Sequence, residues 1–279
     1  MSLIDFDLFC EYSVTISSLM GNIFVVGRAN RIPLPKKKEI VRRRRKPNQL
    51  KIENYYLQYR STLVSTSNLI RDVRLKERHI KLLKKIPFWN FFKLFIDKKI
   101  TYVKSHDKVS LMLIETYSRG SMMFKIGKKL LIIEDLDIAL IFGIKSGSLK
   151  MNITYSRKPQ TPFMERWFGE GSRPTLKSIK NAALDASNGT TKDDVEDVVR
   201  LLCLYVILSI LFLTSGNTAK WVFIQYIENI EEMKMYAWCA AIKDYLMAAI
   251  EKSSKDARKV NGCVLALQVV DTRFLPTYK

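Results

Sequence analysis

Histidine is almost missing from this 279-residue chain; His79 and His106 are the two it has. Cysteine is sparse as well: Cys10, Cys203, Cys239 and Cys263 stand at wide, irregular spacing. No HExxH, CxxC or clustered Cys/His pattern results, which removes the common zinc centres. A disulfide framework would be denser and set in loops, whereas three of these cysteines fall in apolar helical stretches, so a reducing compartment is expected. Phosphate-cradling glycine loops are missing too. Neither GxxxxGK[ST] nor GxGxxG occurs, Gly143 and Gly147 read as turn residues, and Gly169-Glu170-Gly171 is too short a signal. The chain opens on Asp5, Asp7 and Glu11 rather than on the basic residues of a secretory signal, so none is expected. The longest apolar stretch, Leu201–Leu213, has 13 residues. That falls short of the roughly 20 needed to cross a bilayer, so it reads as a buried core helix and no membrane span is expected.

The remaining chemistry-bearing residues have structural explanations. A thiol nucleophile needs a nearby base, yet Cys263 stands in the apolar run Gly262-Cys263-Val264-Leu265 and reads as a buried structural cysteine. The paired acids Asp193-Asp194 and Glu231-Glu232 fall at helix starts, where the helix dipole favours them. His79, set among bases, reads as an exposed polar residue, and His106-Asp107 as a loop and N-cap before a helix. No catalytic residue, metal or cofactor is expected, and the chain reads as a non-enzyme.

What the chain does have is apolar residues and positive charge. It is 47% hydrophobic and 11% aromatic, enough to bury a sizeable core. Its 47 Lys and Arg against 27 Asp and Glu give a net charge of +20, a field that draws polyanions. The excess is uneven. Residues 1–27 hold three acids and no base, residues 28–60 twelve bases and two acids, and residues 61–108 twelve bases and four acids.

Two basic clusters are the strongest local signal: Lys36, Lys37 and Lys38, then Arg42, Arg43, Arg44, Arg45 and Lys46, among Pro33, Pro35 and Pro47. Mutual repulsion and the prolines forbid a continuous helix, so a solvated, mobile linker is expected. Such clusters resemble a nuclear import signal read by an acidic carrier, and they suit phosphate contact, where each neutralised phosphate releases counterions. A solubilising tail without a partner is the alternative. A second basic set, Arg71, Arg74, Arg78, Lys81 and Lys85, recurs at steps of three and four and would share one helical face. Tyr55, Tyr56 and Tyr59 just upstream are either base-stacking or packing residues.

Hydrophobic periodicity predicts one helix over residues 53–85, ended by Pro87, then a dense aromatic helix through Phe88–Ile96 and a short helix over Val109–Tyr117. Met122–Ile126 and Leu130–Ile133 around Gly127-Lys128-Lys129 predict a β-hairpin. Glu134–Phe142 reads as a helix stopped by Gly143. Residues 145–173, rich in Ser, Gly, Pro and Lys, read as a long connection. Helices follow over Thr175–Ala186, over Val195–Leu213 behind a capping box that opens at Thr191, and over Trp221–Ile230, Met235–Lys252 and Val260–Val270. The expected fold class is therefore mainly α, a helical domain with one small β-hairpin and a basic, partly disordered N-terminal segment. The domain reading is an N-terminal segment with a mobile basic linker over residues 1–52 and a helical region over residues 53–279.

Several blocks carry a family resemblance: Ile86-Pro87-Phe88-Trp89; Phe124-Lys125-Ile126-Gly127-Lys128; Leu136 through Gly147; Leu201–Gly216 followed by Trp221; Tyr236-Ala237-Trp238; and Asn261-Gly262-Cys263-Val264-Leu265-Ala266-Leu267-Gln268. Over roughly residues 80–270 the chain resembles the transposon-derived plant mobile domain of the aminotransferase-like type. It is also similar to helical regions ahead of plant ubiquitin-like-protein-specific protease domains. The resemblance implies a helical, usually nuclear module without established catalysis. The protease signature is not matched, since His106 is not followed by Trp and Cys263 follows Gly262; a truncated protease relative stays an alternative. The expected function is non-enzymatic binding of nucleic acid or chromatin in the nucleus through the basic N-terminal third, with a nuclear import carrier as a second partner. A protein-interaction scaffold is the rival.

Overall fold

A computed structural model describes residues 63–100, 107–126, 129–154, 157–169, 173–214, 218–253 and 260–267. The fold is mainly helical with a small antiparallel sheet, as the hydrophobic pattern predicts.

The centre is the stretch that begins at Thr191. Thr191 Oγ1 accepts from the Asp194 N–H at 3.1 Å while Asp194 Oδ2 accepts from the Thr191 N–H at 2.9 Å, a reciprocal cap that satisfies two donors otherwise orphaned at a helix start. The helix that follows, Lys192–Val206 (α8 below), runs on into a π-helical turn, Ile207–Leu211. Every residue from Leu201 to Phe212 is buried, so the long apolar run is a core element. No helix among the described residues is long and apolar enough to cross a membrane. The buried hydroxyls of Ser209 and Thr66 stand 3.3 Å apart and tie the π turn to the first described helix.

That first helix, α1 (Leu63–Asp72), and the next, α2 (Glu77–Leu83), replace the single helix expected over residues 53–85. The chain breaks at Arg74, whose φ of 49° is left-handed and ends α1. Its part before residue 63 lies outside the described residues. The aromatic helix α3 (Trp89–Ile96) buries Phe91, Phe92 and Phe95. Edge-on ring contacts join Phe88 to Trp238 at 4.8 Å and Phe91 to Phe142 at 5.6 Å between centroids.

Helix α4 (Asp107–Glu115) leads to a three-stranded antiparallel sheet, β1 (Tyr117–Ser118), β2 (Met123–Ile126) and β3 (Lys129–Leu131), in the order β1-β2-β3. The predicted hairpin is β2–β3, with Phe124 opposite Leu131. The short β1 is an addition, because two residues show no readable alternation. Helix α5 (Asp135–Phe142) stops at Gly143, φ 61°.

The expected connection over 145–173 is broken by α6 (Pro162–Phe168), where Thr161 caps the Met164 N–H and Pro162 occupies the first turn. Before it, the Gly147 N–H donates to Tyr236 O at 2.9 Å and the Ala237 N–H donates to Leu149 O at 2.8 Å, a parallel bridge between distant segments. Helix α7 (Leu176–Asn188) packs along α8, which α1, α2 and α9 (Trp221–Ile227) also contact. A 3-10 turn, Met233–Met235, precedes α10 (Trp238–Lys252). The helix expected over Val260–Val270 begins only at residue 265, because Gly262 adopts a φ of 93°.

Candidate functional site: the basic face of the N-terminal helices

The expected site residues separate into two groups. Lys36, Lys37, Lys38, Arg42, Arg43, Arg44, Arg45 and Lys46 lie outside the described residues, as do Tyr55, Tyr56 and Tyr59. Arg71, Arg74, Arg78, Lys81 and Lys85 are described, but they do not form one helical face. The left-handed residue at Arg74 rotates α2 away from α1, so the three-and-four spacing stops having geometric meaning there.

Arg78 is held by the protein itself. Its guanidinium donates to Gly189 O and Thr190 O, both at 2.8 Å, and Lys76 Nζ donates to Ser187 O at 3.2 Å. These carbonyls lie at the C-terminal end of α7, where cations satisfy orphan acceptors and oppose the helix dipole. Lys85 pairs with Glu231 at 2.6 Å, and that hydrogen bond holds the Glu231 carboxyl below the usual carboxylate range. Both side chains are half exposed, so the pair adds at most about 1 kcal/mol.

Arg71, Arg74 and Lys81 remain outward. Arg71 touches Asp72 at 3.4 Å with its side chain 70% exposed, and Asp72 is shared with Lys180 at 3.8 Å. Arg74 and Lys81 have no ion-pair partner among the described residues, and neither does Lys98. Arg71, Arg74 and Lys98 rim a groove of about 630 Å³ whose apolar wall is Ile70, Leu75, Phe95, Ile96 and Ile100. Like Arg74, Lys98 sits in the left-handed region, at φ 56°. Helix spacing on α1 and α2 alone cannot reveal this grouping, because Lys98 arrives from beyond α3. The signal available was the Lys98-Lys99 pair behind an aromatic run.

His79 corrects the expectation of an exposed side chain. It is 1% exposed, on the buried face of α2, and its Nδ1 accepts the Lys76 N–H at 3.0 Å as part of the α2 cap. Its Nε2 is buried without a partner. Burial, with the neighbouring Arg78 and Lys76 charges, pushes its pKa below 6.5. His106 lies outside the described residues.

The cysteines are buried as expected at positions 203, 239 and 263, and all three are free thiols. Burial raises each pKa, to about 11 for Cys239 and about 12 for Cys263, so the thiolate is scarce at neutral pH. The acid missed by sequence reasoning is Asp197. It is fully buried and accepts from Arg166 Nε at 2.9 Å, Trp167 Nε1 at 2.8 Å and Arg200 Nη1 at 2.7 Å. Arg200 also donates to Glu196 and to Glu228 O, so α6 and α8 meet on the Asp197 carboxylate and Arg200 ties in the end of α9. With both oxygens occupied by donors, the arrangement is a structural tie.

A family profile described as a domain of unknown function (DUF8566) matches residues 60–268. Two relatives from Arabidopsis thaliana are plant mobile domain proteins. One is Protein MAIN-LIKE 2, 24% identical over 207 residues, covering 70% of this chain and 30% of the relative. The other is Protein MAINTENANCE OF MERISTEMS, 22% identical over 214 residues, covering 72% of this chain and 43% of the relative. The chain therefore matches less than half the length of either. No solved structure matches. The expected relation to ubiquitin-like-protein-specific proteases gains no support from these matches.

Proposed function

Because this chain belongs to the DUF8566 family and its relatives are plant mobile domain proteins, we propose that it is a transposon-derived, non-enzymatic nuclear module that binds nucleic acid or chromatin through its basic N-terminal third. One observation carries the reading: residues 28–108 hold 24 bases and six acids. Within that stretch, Arg71, Arg74, Lys81 and Lys98 are outward, and among the described residues only Arg71 of these four has a carboxylate partner, itself shared. A cationic surface left this unbalanced lowers stability by self-repulsion, and a polyanion relieves it.

The mechanism is phosphate contact with little base readout, since no zinc-finger or helix-turn-helix spacing occurs. Lys36–Lys38 and Arg42–Lys46 serve as the import signal and as further phosphate contacts. Titration with a duplex oligonucleotide at several salt concentrations tests this. Neutralising five to eight phosphates gives a slope of log affinity on log salt of about −4 to −7. Binding absent at low salt, or independent of salt, overturns the reading.

A second reading is favoured by a separate observation. Leu130, Ile132 and Leu136 are exposed by 50–65% around β3 and the start of α5, an apolar patch suited to a protein partner. In such a scaffold the basic clusters only direct import. Deleting residues 28–50 then mislocalises the protein without weakening partner capture, whereas a nucleic-acid binder loses both.

A further inference from the structure

Far from the N-terminal helices in sequence, Lys220 lies half-buried at the start of α9. Its ammonium donates weakly to Ile153 O at 3.5 Å and stands 5.0 Å from the Tyr245 ring centroid. No carboxylate pairs with it among the described residues. Lys252, at the end of α10, and Arg173 are equally without an ion-pair partner there, and both act on Lys220 electrostatically. Lys220 and Lys252 line a pocket of about 460 Å³ together with Ile153, Tyr245, Ser253 and Asn261.

A half-buried ammonium beside two like charges is an expensive arrangement unless an anion completes it. Consistent with this, burial and the two neighbouring cations lower the Lys220 pKa. The opposing terms are small. Asp244 lines the same pocket, but its carboxylate is exposed and lies 3.6 Å from Lys243 Nζ. The carbonyl end of α10 contributes about half a negative charge. The two lining cations, Lys220 and Lys252, therefore outweigh the one lining carboxylate, and Arg173, which does not line the pocket, adds to the positive field at Lys220. Asn261 offers a side-chain amide that makes no hydrogen bond among the described residues, a free donor for a phosphoryl oxygen. The volume is right for a phosphoryl group with a sugar-sized substituent and too small for a duplex. Tyr245 supplies an apolar wall for that substituent.

We propose that this pocket binds a phosphate monoester, with Lys220 as the inner cation, Lys252 as the outer one and Asn261 as a neutral donor. The proposal is independent of the basic N-terminal helices, none of whose residues line the pocket. It is tested on the full chain by calorimetric titration with ribose 5-phosphate, with ribose as the uncharged control. Saturable binding of ribose 5-phosphate alone, weakened at least tenfold in Lys220→Met and severalfold in Lys252→Gln, supports it. The same binding must survive Arg71→Gln/Arg74→Gln/Lys98→Gln, which removes the outward N-terminal charges. Should Lys220→Met fail to fold, the exposed Lys252→Gln and the charge-adding Asn261→Asp carry the test. A competition arm distinguishes the source of the ester: displacement by a 5′-phosphorylated oligonucleotide but not its 5′-hydroxyl counterpart identifies a strand end, and no displacement by either identifies a free small molecule. Unsaturable uptake of ribose 5-phosphate, or affinity unchanged in Lys220→Met and Lys252→Gln, overturns the proposal.

Discussion

Arg200 Nη1 stands 2.7 Å from Asp197 Oδ1, and Asp197 has no solvent exposure at all. On that carboxylate converge a guanidinium and an indole from α6 and a second guanidinium from α8 itself. Removing the acid takes from Arg200, whose side chain is 13% exposed, its fully buried partner and leaves it Glu196, while Arg166 is left with Asp193. Asp197→Ala is therefore expected to cost about 3–5 kcal/mol, the penalty for breaking a buried ion pair from one side. Urea unfolding checks this, and a loss below 1 kcal/mol contradicts the assigned role. Asp197→Asn, which keeps the shape and one acceptor, should lose less.

His79 makes stability depend on pH in a definite direction. Burial, then Arg78 and Lys76, lower its folded-state pKa below the unfolded value of 6.5. The unfolded chain then binds more protons than the folded one through this group, so stability rises with pH. The contribution is complete above pH 6.5 and is lost as pH falls from 6.5 through the folded pKa. His79→Gln, which retains an acceptor for the Lys76 N–H, should flatten the fall in unfolding free energy between pH 7 and pH 5. An unchanged pH profile would show that His79 does not titrate in this range.

These two residues also mark where the sequence is readable and where it is not. The helical class, the β2–β3 hairpin, the stop at Gly143 and the cap at Thr191 were legible because each has a local cause, in periodicity, turn residues or a reciprocal hydrogen bond. The break at Arg74 was not, because a non-glycine left-handed residue leaves no compositional trace. Asp197 and His79 look like surface residues in a charged context. Asp197 is closed in by α6, and the helix that carries His79 packs on α8, more than a hundred residues away, so no local window contains those partners. The same long-range closure splits the expected basic face into bound and outward members.

That split predicts two different phenotypes from chemically similar changes. Arg71→Gln/Arg74→Gln/Lys98→Gln should leave stability within about 0.5 kcal/mol of the parent, as surface changes do. If the nucleic-acid reading holds, it makes the salt dependence of binding shallower by about 2–3 in log–log slope. Arg78→Ala should do the reverse. It abandons Gly189 O and Thr190 O at the end of α7 and costs about 1–3 kcal/mol, with a change in slope of at most about 1. Thermal denaturation and salt-dependent anisotropy, run on the same preparations, separate the two.

The bridge between the segment after α5 and the segment before α10 depends on the absence of a single side chain. A Cβ added at Gly147 would lie 2.1 Å from Met235 O and 2.5 Å from Lys234 O, both backbone atoms that cannot rotate aside. The two strands of chain approach this closely because the Gly147 N–H bonds Tyr236 O and the Leu149 N–H bonds Met235 O, each at 2.9 Å. Gly147→Ala must push them apart and break both bonds, so overpacking and lost hydrogen bonding act together. The expected loss is about 2–4 kcal/mol. It should be accompanied by faster amide exchange at Gly147, Leu149 and Ala237, the three donors that hold the bridge. Exchange faster at these amides but unchanged along α8 would localise the damage to the bridge. Uniformly faster exchange would mean that the bridge stabilises the whole core, and unaltered exchange at all three would show that the close approach is absent in solution.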